Sequence, residues 1–209
     1  MSTQTLPSIA PDVPMNVYPT NIQLMPAVPM TQDQFFDFCQ QNRKLRFERT
    51  AEGELIIMPP SGGGTGKRNL SIGAQLYNWA ERDGTGESYD SSTGFILPNG
   101  ANRSPDASWI LKTRLSSLSP EQREKFIPLC PNFLMELMSP SDSLPKAQEK
   151  MEEYIANGCW LGWLIDPKKK QVHVYRPGQA VQVLENPPTV SGGPELPGFV
   201  LDLEPVWRP

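Results

Sequence analysis

Hydrophobic and polar positions change period several times along the chain, and the pattern predicts a mixed α/β fold. Two short stretches, Leu45–Arg49 and Glu54–Met58, have the alternating or clustered apolar residues of β-strands, and Glu52-Gly53 between them is typical of a hairpin turn. Thr31 is an N-cap residue for a helix that should run from Gln32 to about Gln41. Further short strands are expected at 94–97, 106–111, 171–175 and 199–203.

A glycine-rich segment, Pro59–Gly66, is expected to be a loop. The following Gly66-Lys67 superficially resembles a phosphate-binding loop, but Arg68 stands where Ser or Thr would hold magnesium. We interpret the segment as a loop that could approach a substrate backbone with its Lys67-Arg68 pair. A helix should follow from Lys67 to Arg82, with an apolar stripe that comprises Leu70, Ala74, Tyr77 and, less regularly, Leu76 and Ala80.

A strand–helix–strand unit in the second half of the chain is the most informative part of the pattern. Two compact apolar strands, Phe133–Met138 and Trp160–Ile165, are separated by a helical pattern. That helix should begin at Ser143-Leu144-Pro145 and end at Asn157, before a capping Gly158. Strands joined in this way are parallel, with a right-handed crossover. We therefore predict a mixed central β-sheet flanked by helices.

The chain divides into two parts by composition. Residues 1–30 contain six prolines and one charged side chain, Asp12, which is typical of an extended arm, whereas residues 31–209 suit a single domain. No apolar run approaches the roughly 20 residues that cross a bilayer, and residues 1–30 lack the pattern of a secretory signal. We expect a cytoplasmic protein without membrane association.

Cysteine, histidine and charge exclude several classes of function. Cys39, Cys130 and Cys159 are far apart and lack CxxC spacing, so we expect buried apolar side chains rather than disulfides or a zinc site. His173 is the one histidine; its strand-like surroundings predict a solvent-facing side chain, and histidine-dependent catalysis is excluded. A net charge of −4 argues against a general nucleic-acid coat protein. It is compatible with an enzyme that holds phosphate through metal ions and a few local cations.

Glu136 is the residue that most needs an explanation, because it lies within the apolar strand sequence FLMELM. Burying an unpaired carboxylate costs several kcal/mol, so the residue is either in an ion pair or at a strand edge, or it binds a divalent cation. Asp106, after Pro105 at a strand start, supports the cation. Paired on neighbouring strands, Asp106 and Glu136 supply two hard oxygen ligands for Mg²⁺ or Mn²⁺. Glu54 could add a ligand, although its hairpin position fits a surface residue better.

Lys150 is the cation expected beside these acids, since Met138 stands where a lysine two residues after Glu136 would be. Going back from Met138 to Glu136 covers about 7 Å of strand, and advancing from Pro145 to Lys150 covers about 7–8 Å of helix in the same direction. A helix folded over its strand would thus bring Lys150 level with Glu136, with Tyr154 one turn further on the same face. The spacing equally fits an exposed lysine among helical glutamates.

An ordered set of motifs resembles a large bacterial family of nuclease-like proteins, once filed as a domain of unknown function, with the PD-(D/E)XK restriction-endonuclease fold. The set is Ser104-Pro105-Asp106, FLMELMSPS at 133–141, Lys150 before Glu153-Tyr154, Asn157-Gly158, WLIDP at 163–167 and LPGFVLDL at 196–203. The resemblance spans roughly residues 31–207. The chain departs from the common pattern at Lys146 and at Leu161-Gly162.

The resemblance implies that Asp106 and Glu136 bind Mg²⁺ or Mn²⁺ and that Lys150 activates or orients the attacking water. It implies hydrolysis of DNA phosphodiester bonds, and the fold analogy suggests a homodimer. One alternative is the same fold without catalysis, kept for DNA or protein binding. A paired-carboxylate glycosidase is a weaker alternative, because no aromatic sugar platform lies near the acids.

Overall fold

The computed structural model describes residues 22–26 and 29–208. Within these residues the strands form a six-stranded, a five-stranded and a two-stranded sheet. The helices are α1 (Gln32–Gln41), α2 (Gly63–Asp83), α3 (Lys112–Leu115), α4 (Pro120–Glu124), α5 (Leu144–Ala156) and α6 (Glu204–Trp207). The strands are β1 (Ile22–Leu24), β2 (Arg46–Arg49), β3 (Leu55–Met58), β4 (Gly86–Asp90), β5 (Phe95–Ile96), β6 (Asn102–Arg103), β7 (Ala107–Leu111), β8 (Phe133–Leu137), β9 (Leu161–Asp166), β10 (Gln171–Tyr175), β11 (Gln182–Glu185), β12 (Thr189–Ser191) and β13 (Val200–Asp202).

A six-stranded mixed sheet forms the centre, in the order β11-β10-β9-β8-β7-β4. Strands β8 and β9 are parallel and are joined through α5, as the apolar strand–helix–strand pattern predicted. The other neighbours pair antiparallel. The two strands at the centre are apolar along nearly their whole length because helices or other strands cover both faces.

Helices flank this sheet on its two faces, which confirms the predicted fold class. On one face α2 and the C-terminal segment enclose an apolar cluster with Phe133, Met135 and Trp163. On the other face α5 packs through Met151 and Tyr154 against a second cluster. Alternate residues of β8 therefore point into different clusters, and Glu136 lies on the α5 face.

A five-stranded sheet, in the order β1-β3-β2-β6-β5, lies beside the N-terminal helix α1. The β2–β3 hairpin and α1 agree with their predicted positions, and the Thr31 side chain caps α1 in a capping box. Strand β1 lies within the predicted N-terminal arm and pairs with β3. Most of the predicted arm lies outside the described residues.

Helix α2 differs from its prediction in both its start and its buried face. It begins at Gly63, so the second half of the predicted loop is the first turn of the helix. The buried residues are Ile72, Leu76, Trp79 and Ala80, whereas Leu70 is 75% and Tyr77 is 55% exposed. The prediction was right for Leu76 and Ala80 and wrong for the other three positions, because apolar residues occur on two faces of this helix. The periodicity does not indicate which face meets the sheet.

His173 was predicted to face solvent, and that prediction is wrong. The side chain is 4% exposed, because Tyr175, two residues further along β10 on the same face, is part of the cluster under α5. Burial lowers the pKa of His173, although Asp166 opposes the shift. Cys130 and Cys159 are buried and Cys39 is partly buried, and all three are free thiols. No helix in the described residues is long and apolar enough to cross a membrane.

Candidate active site

The two acids singled out from the sequence lie side by side on adjacent strands. Strands β7 and β8 pair antiparallel with Ala107 opposite Met135, so the same register places Asp106 opposite Glu136. Both carboxylate oxygens of Asp106 accept hydrogen bonds. Its Oδ2 accepts a 2.8 Å hydrogen bond from the Leu137 amide, and its Oδ1 accepts a 2.7 Å bond from Nδ2 of Asn69 on α2.

Lys150 reaches this acid pair from α5, which is one of the two positions that the strand and helix rises allowed. Its Nζ lies 2.8 Å from Oε1 of Glu136 and 2.9 Å from Oε1 of Glu48. Tyr154, one turn further along α5, donates a 3.0 Å hydrogen bond from its hydroxyl to Oε1 of Glu136. The helix thus presents a cation and a hydroxyl to one carboxylate.

Glu48 is a member of the site that the sequence analysis missed. It comes from β2, and its Oε1 also accepts a 3.0 Å hydrogen bond from the Ser104 amide. Arg103 lies 3.3 Å from its Oε2 and 2.5 Å from Oε2 of Glu153 on α5. The signal in the sequence was the charged strand RFER, but its charges could equally have faced solvent. Only the tertiary approach of the small sheet to α5 shows that Glu48 is buried.

Access to the cluster is narrow but open on the Lys150 side. The exposed fraction of the side chain is 21% for Lys150, 15% for Glu136 and 3% for Glu48. A small ion or a phosphate oxygen can therefore reach Glu136 and Lys150. Glu48 contacts Lys150 from the buried side of the cluster.

Burial and neighbouring charges set the protonation of these groups in different directions. Burial, reinforced by Asp106 and Glu48 and opposed by Lys150, raises the pKa of Glu136 to about 7. Burial also raises the pKa of Asp106, against the Leu137 amide and Lys150. For Glu48, burial is outweighed by Lys150 and Arg103, which hold its pKa below the ordinary value. Burial would lower the pKa of Lys150, but Glu136 and Glu48 outweigh it and raise that pKa.

The charges of the cluster do not balance. Four carboxylates, of Glu48, Asp106, Glu136 and Glu153, lie around Lys150 and Arg103, and Arg46 adds a third positive charge near Asp106. Full ionisation would leave an excess of negative charge in a poorly solvated site, which accounts for the raised pKa of Glu136. A divalent cation would compensate this excess, so the donor set fits one.

The geometry limits how many protein ligands such an ion would have. Within residues 22–26 and 29–208, no three or more His, Cys, Asp or Glu side chains are grouped as a metal-binding cluster. Magnesium keeps several waters and is commonly bound by one or two carboxylates, so Asp106 and Glu136 would be sufficient. Glu54 starts the β3 side of the hairpin and makes none of the described contacts of the site.

The predicted role of the Lys67-Arg68 pair is only partly compatible with the structure. Arg68 donates hydrogen bonds of 2.8 Å to the Val206 carbonyl and 3.1 Å to the Arg208 carbonyl, so it ties α2 to the C-terminal segment. Lys67 is exposed. Of this pair, therefore, only the lysine side chain makes no described hydrogen bond within the chain.

Comparison with known proteins gives one family and one fold. Residues 32–204 match the family model Uma2, described as "Putative restriction endonuclease". The crystal structure of a protein described as a putative nuclease belonging to DUF820, from Anabaena variabilis, has a TM-score of 0.67 and 22% sequence identity. The match covers 86% of this chain and 98% of that one, and it shows that the fold is restriction-endonuclease-like. No curated protein matches the chain.

Proposed function

This chain belongs to the Uma2 family, and we propose from its site that it is a metal-dependent endonuclease that hydrolyses DNA phosphodiester bonds. The observation that carries the proposal is the contact of Lys150 with Glu136 and Glu48 beside Asp106, in a cluster with an excess of negative charge. An arrangement that only stabilised the fold would be expected to balance its charges, because unpaired buried charge is costly.

Asp106 and Glu136 are the residues that would hold Mg²⁺ or Mn²⁺. Bound there, the ion would lower the pKa of a coordinated water and neutralise charge that develops on the scissile phosphate. The Leu137 amide and Asn69 fix the Asp106 carboxylate in one orientation. Tyr154 and Lys150 both contact Oε1 of Glu136. None of the described residues donates a hydrogen bond to the second oxygen, Oε2.

Lys150 acts in this proposal as a cation rather than as a base. Glu136 and Glu48 raise its pKa, so the ammonium form is retained at neutral pH. A retained ammonium group, partly open to solvent, can stabilise negative charge on a phosphate oxygen. Arg103 lies behind it and pairs with Glu48 and Glu153, so we assign Arg103 the role of positioning β2 against α5.

The rival is a nuclease-fold module that binds DNA or protein without catalysis. The observation that favours it is the pairing of Lys150 with two carboxylates, which occupies the ammonium group within the protein. The two functions differ in turnover, so a cleavage assay separates them.

The test is cleavage of supercoiled plasmid and of single-stranded DNA in the presence of Mg²⁺, Mn²⁺ or EDTA. We expect metal-dependent cleavage by the wild type that Glu136→Ala and Lys150→Met abolish, while the matched hairpin variant Glu54→Ala retains it. Cleavage that survives Glu136→Ala would rule out this site. Metal binding without cleavage of either DNA would support the non-catalytic module.

We also propose that the protein acts as a homodimer. The chain has a net charge of −4, and two copies together can place more local cations along a duplex than one copy can.

A further inference from the structure

The outer face of α2 carries an apolar stripe that no other part of the described chain covers. Leu70 is 75% exposed and Tyr77 is 55% exposed, and Ala74 between them is also exposed. The opposite face of the same helix supplies Ile72, Leu76, Trp79 and Ala80 to the core. One face of α2 therefore packs into the described core, and the second apolar face stays exposed.

The exposed stripe has the spacing of a helix-pairing seam. Its positions 67, 70, 74, 77 and 81 are separated alternately by three and four residues, which keeps them on one face over about 21 Å of helix. The three central positions are Leu70, Ala74 and Tyr77, and the two ends are charged. Lys67 and Glu81 at these ends are both exposed.

The stripe is complementary to itself when two copies run antiparallel. A twofold axis at Ala74 places each Leu70 against the Tyr77 of the other copy, and it brings each Lys67 opposite a Glu81. Apolar side chains thus meet apolar ones, and each end forms an oppositely charged pair. Parallel pairing would instead place Lys67 against Lys67 and Glu81 against Glu81, which is repulsive.

We propose that this face of α2 is the homodimer interface, with α2 packed antiparallel on α2 of a second copy. Self-complementary charge at both ends identifies a second copy as the occupant, since an isologous contact uses the same patch twice. The proposal rests on the homodimer part of the proposed function and is independent of cleavage. One helix pair buries less than the roughly 800 Å² per partner of a standard interface, so we expect micromolar dimerisation.

The interface would lie close to both active sites. Asn69, which holds Asp106, is on α2 next to Leu70. In the antiparallel pair the two Asn69 residues are separated by about 15 Å along the helix axes. Dimerisation would therefore bring the two acid clusters near one shared helical seam.

The test is the oligomeric state of the full chain by sedimentation equilibrium between 1 and about 200 μM, a range chosen around the micromolar affinity expected above. Lys67→Glu and Glu81→Lys should each weaken dimerisation by roughly tenfold, because each replaces two attractive pairs by two repulsive ones. The double variant Lys67→Glu/Glu81→Lys should restore it. Ala74→Glu, which places two carboxylates on the twofold axis, should leave a monomer throughout this range.

Lys44→Glu, an exposed charge reversal outside α2, is the matched control and should dimerise like the wild type. A wild-type monomer at every concentration would overturn the dimer, while the cleavage assay would still stand or fall on its own. A dimer that Lys67→Glu and Ala74→Glu leave unchanged would overturn this interface and leave another homodimer in place. Circular dichroism of each variant establishes that the fold is retained.

Discussion

The two faces of the six-stranded sheet bury their side chains by different means. On the α2 face, Phe133, Trp163 and Phe199 pack ring against ring, with centroids 4.8 to 5.8 Å apart. On the α5 face, Glu136 is buried among charges that do not cancel. Phe133 and Glu136 both lie on β8, three residues apart, and their side chains point to opposite faces of the sheet. The comparison teaches that the aromatic face is uniformly apolar, whereas the α5 face combines an apolar cluster with a local group of unfavourable charges.

The largest effect expected from this comparison is on the aromatic face. Trp163→Ala should lower the free energy of unfolding by about 3–5 kcal/mol, because it opens a cavity beside Phe133 and Phe199. Urea denaturation measures the change. Metal affinity of the folded fraction should remain within a few-fold of wild type, and a parallel loss of metal binding would contradict the separation of the two faces.

Lys150→Met should have the next largest effect. It leaves Glu136 and Glu48 without their shared cation, and we expect a loss of about 2–3 kcal/mol in unfolding free energy at pH 8. The loss should diminish toward pH 5, where Glu136 takes up a proton. Lys150→Arg is the control that keeps the charge, and an equal loss in both variants would point to packing instead.

Glu136→Gln tests the cost of the buried carboxylate itself. A pKa raised to about 7 from 4.5 means that the folded state binds the proton more tightly than the unfolded state. Its contribution to stability is therefore complete below pH 4.5 and is lost as the pH rises through 7. Without metal, the variant should reduce the fall in stability between pH 5 and pH 8 by about 2 kcal/mol. An unchanged pH profile would show that Glu136 ionises normally.

Tyr154→Phe should have the smallest effect. It removes one hydrogen bond to Glu136 and leaves the ring in the α5 cluster, so a loss of about 1 kcal/mol is expected. Thermal unfolding measures it. The variant should also raise the pKa at which Glu136 titrates, since the ionised form loses a donor; a lowered pKa would contradict the assigned contact.

Local patterns were sufficient to predict most of the sheet and part of the site. The strands around Phe133 and Trp163 are continuous apolar runs, and α5 has recognisable ends, so their parallel pairing followed from connectivity. The contact between Lys150 and Glu136 was one of the predicted alternatives, because the rise per residue of a strand and of a helix is fixed by backbone geometry. The two residues are only fourteen positions apart in the sequence.

The contacts that could not be predicted join distant segments. Glu48 pairs with Lys150 across 102 residues, and nothing in RFER distinguishes a buried charge from an exposed one. The outer stripe of α2 was mistaken for its core face because both faces are apolar. His173 was mistaken for a surface residue because alternation does not reveal whether both faces of a strand are covered.

The central claim is that Asp106 and Glu136 together bind a divalent cation, and calorimetric titration of Mn²⁺ into wild type and Glu136→Gln across pH 5.5 to about 8.5 tests it most directly. Because Glu136 has a pKa of about 7 without metal, protons compete with the ion. We predict a wild-type affinity that falls by roughly tenfold per pH unit below 7. Glu136→Gln should bind at least about tenfold more weakly, without that pH dependence. Equal, pH-independent binding by both proteins would contradict the claim.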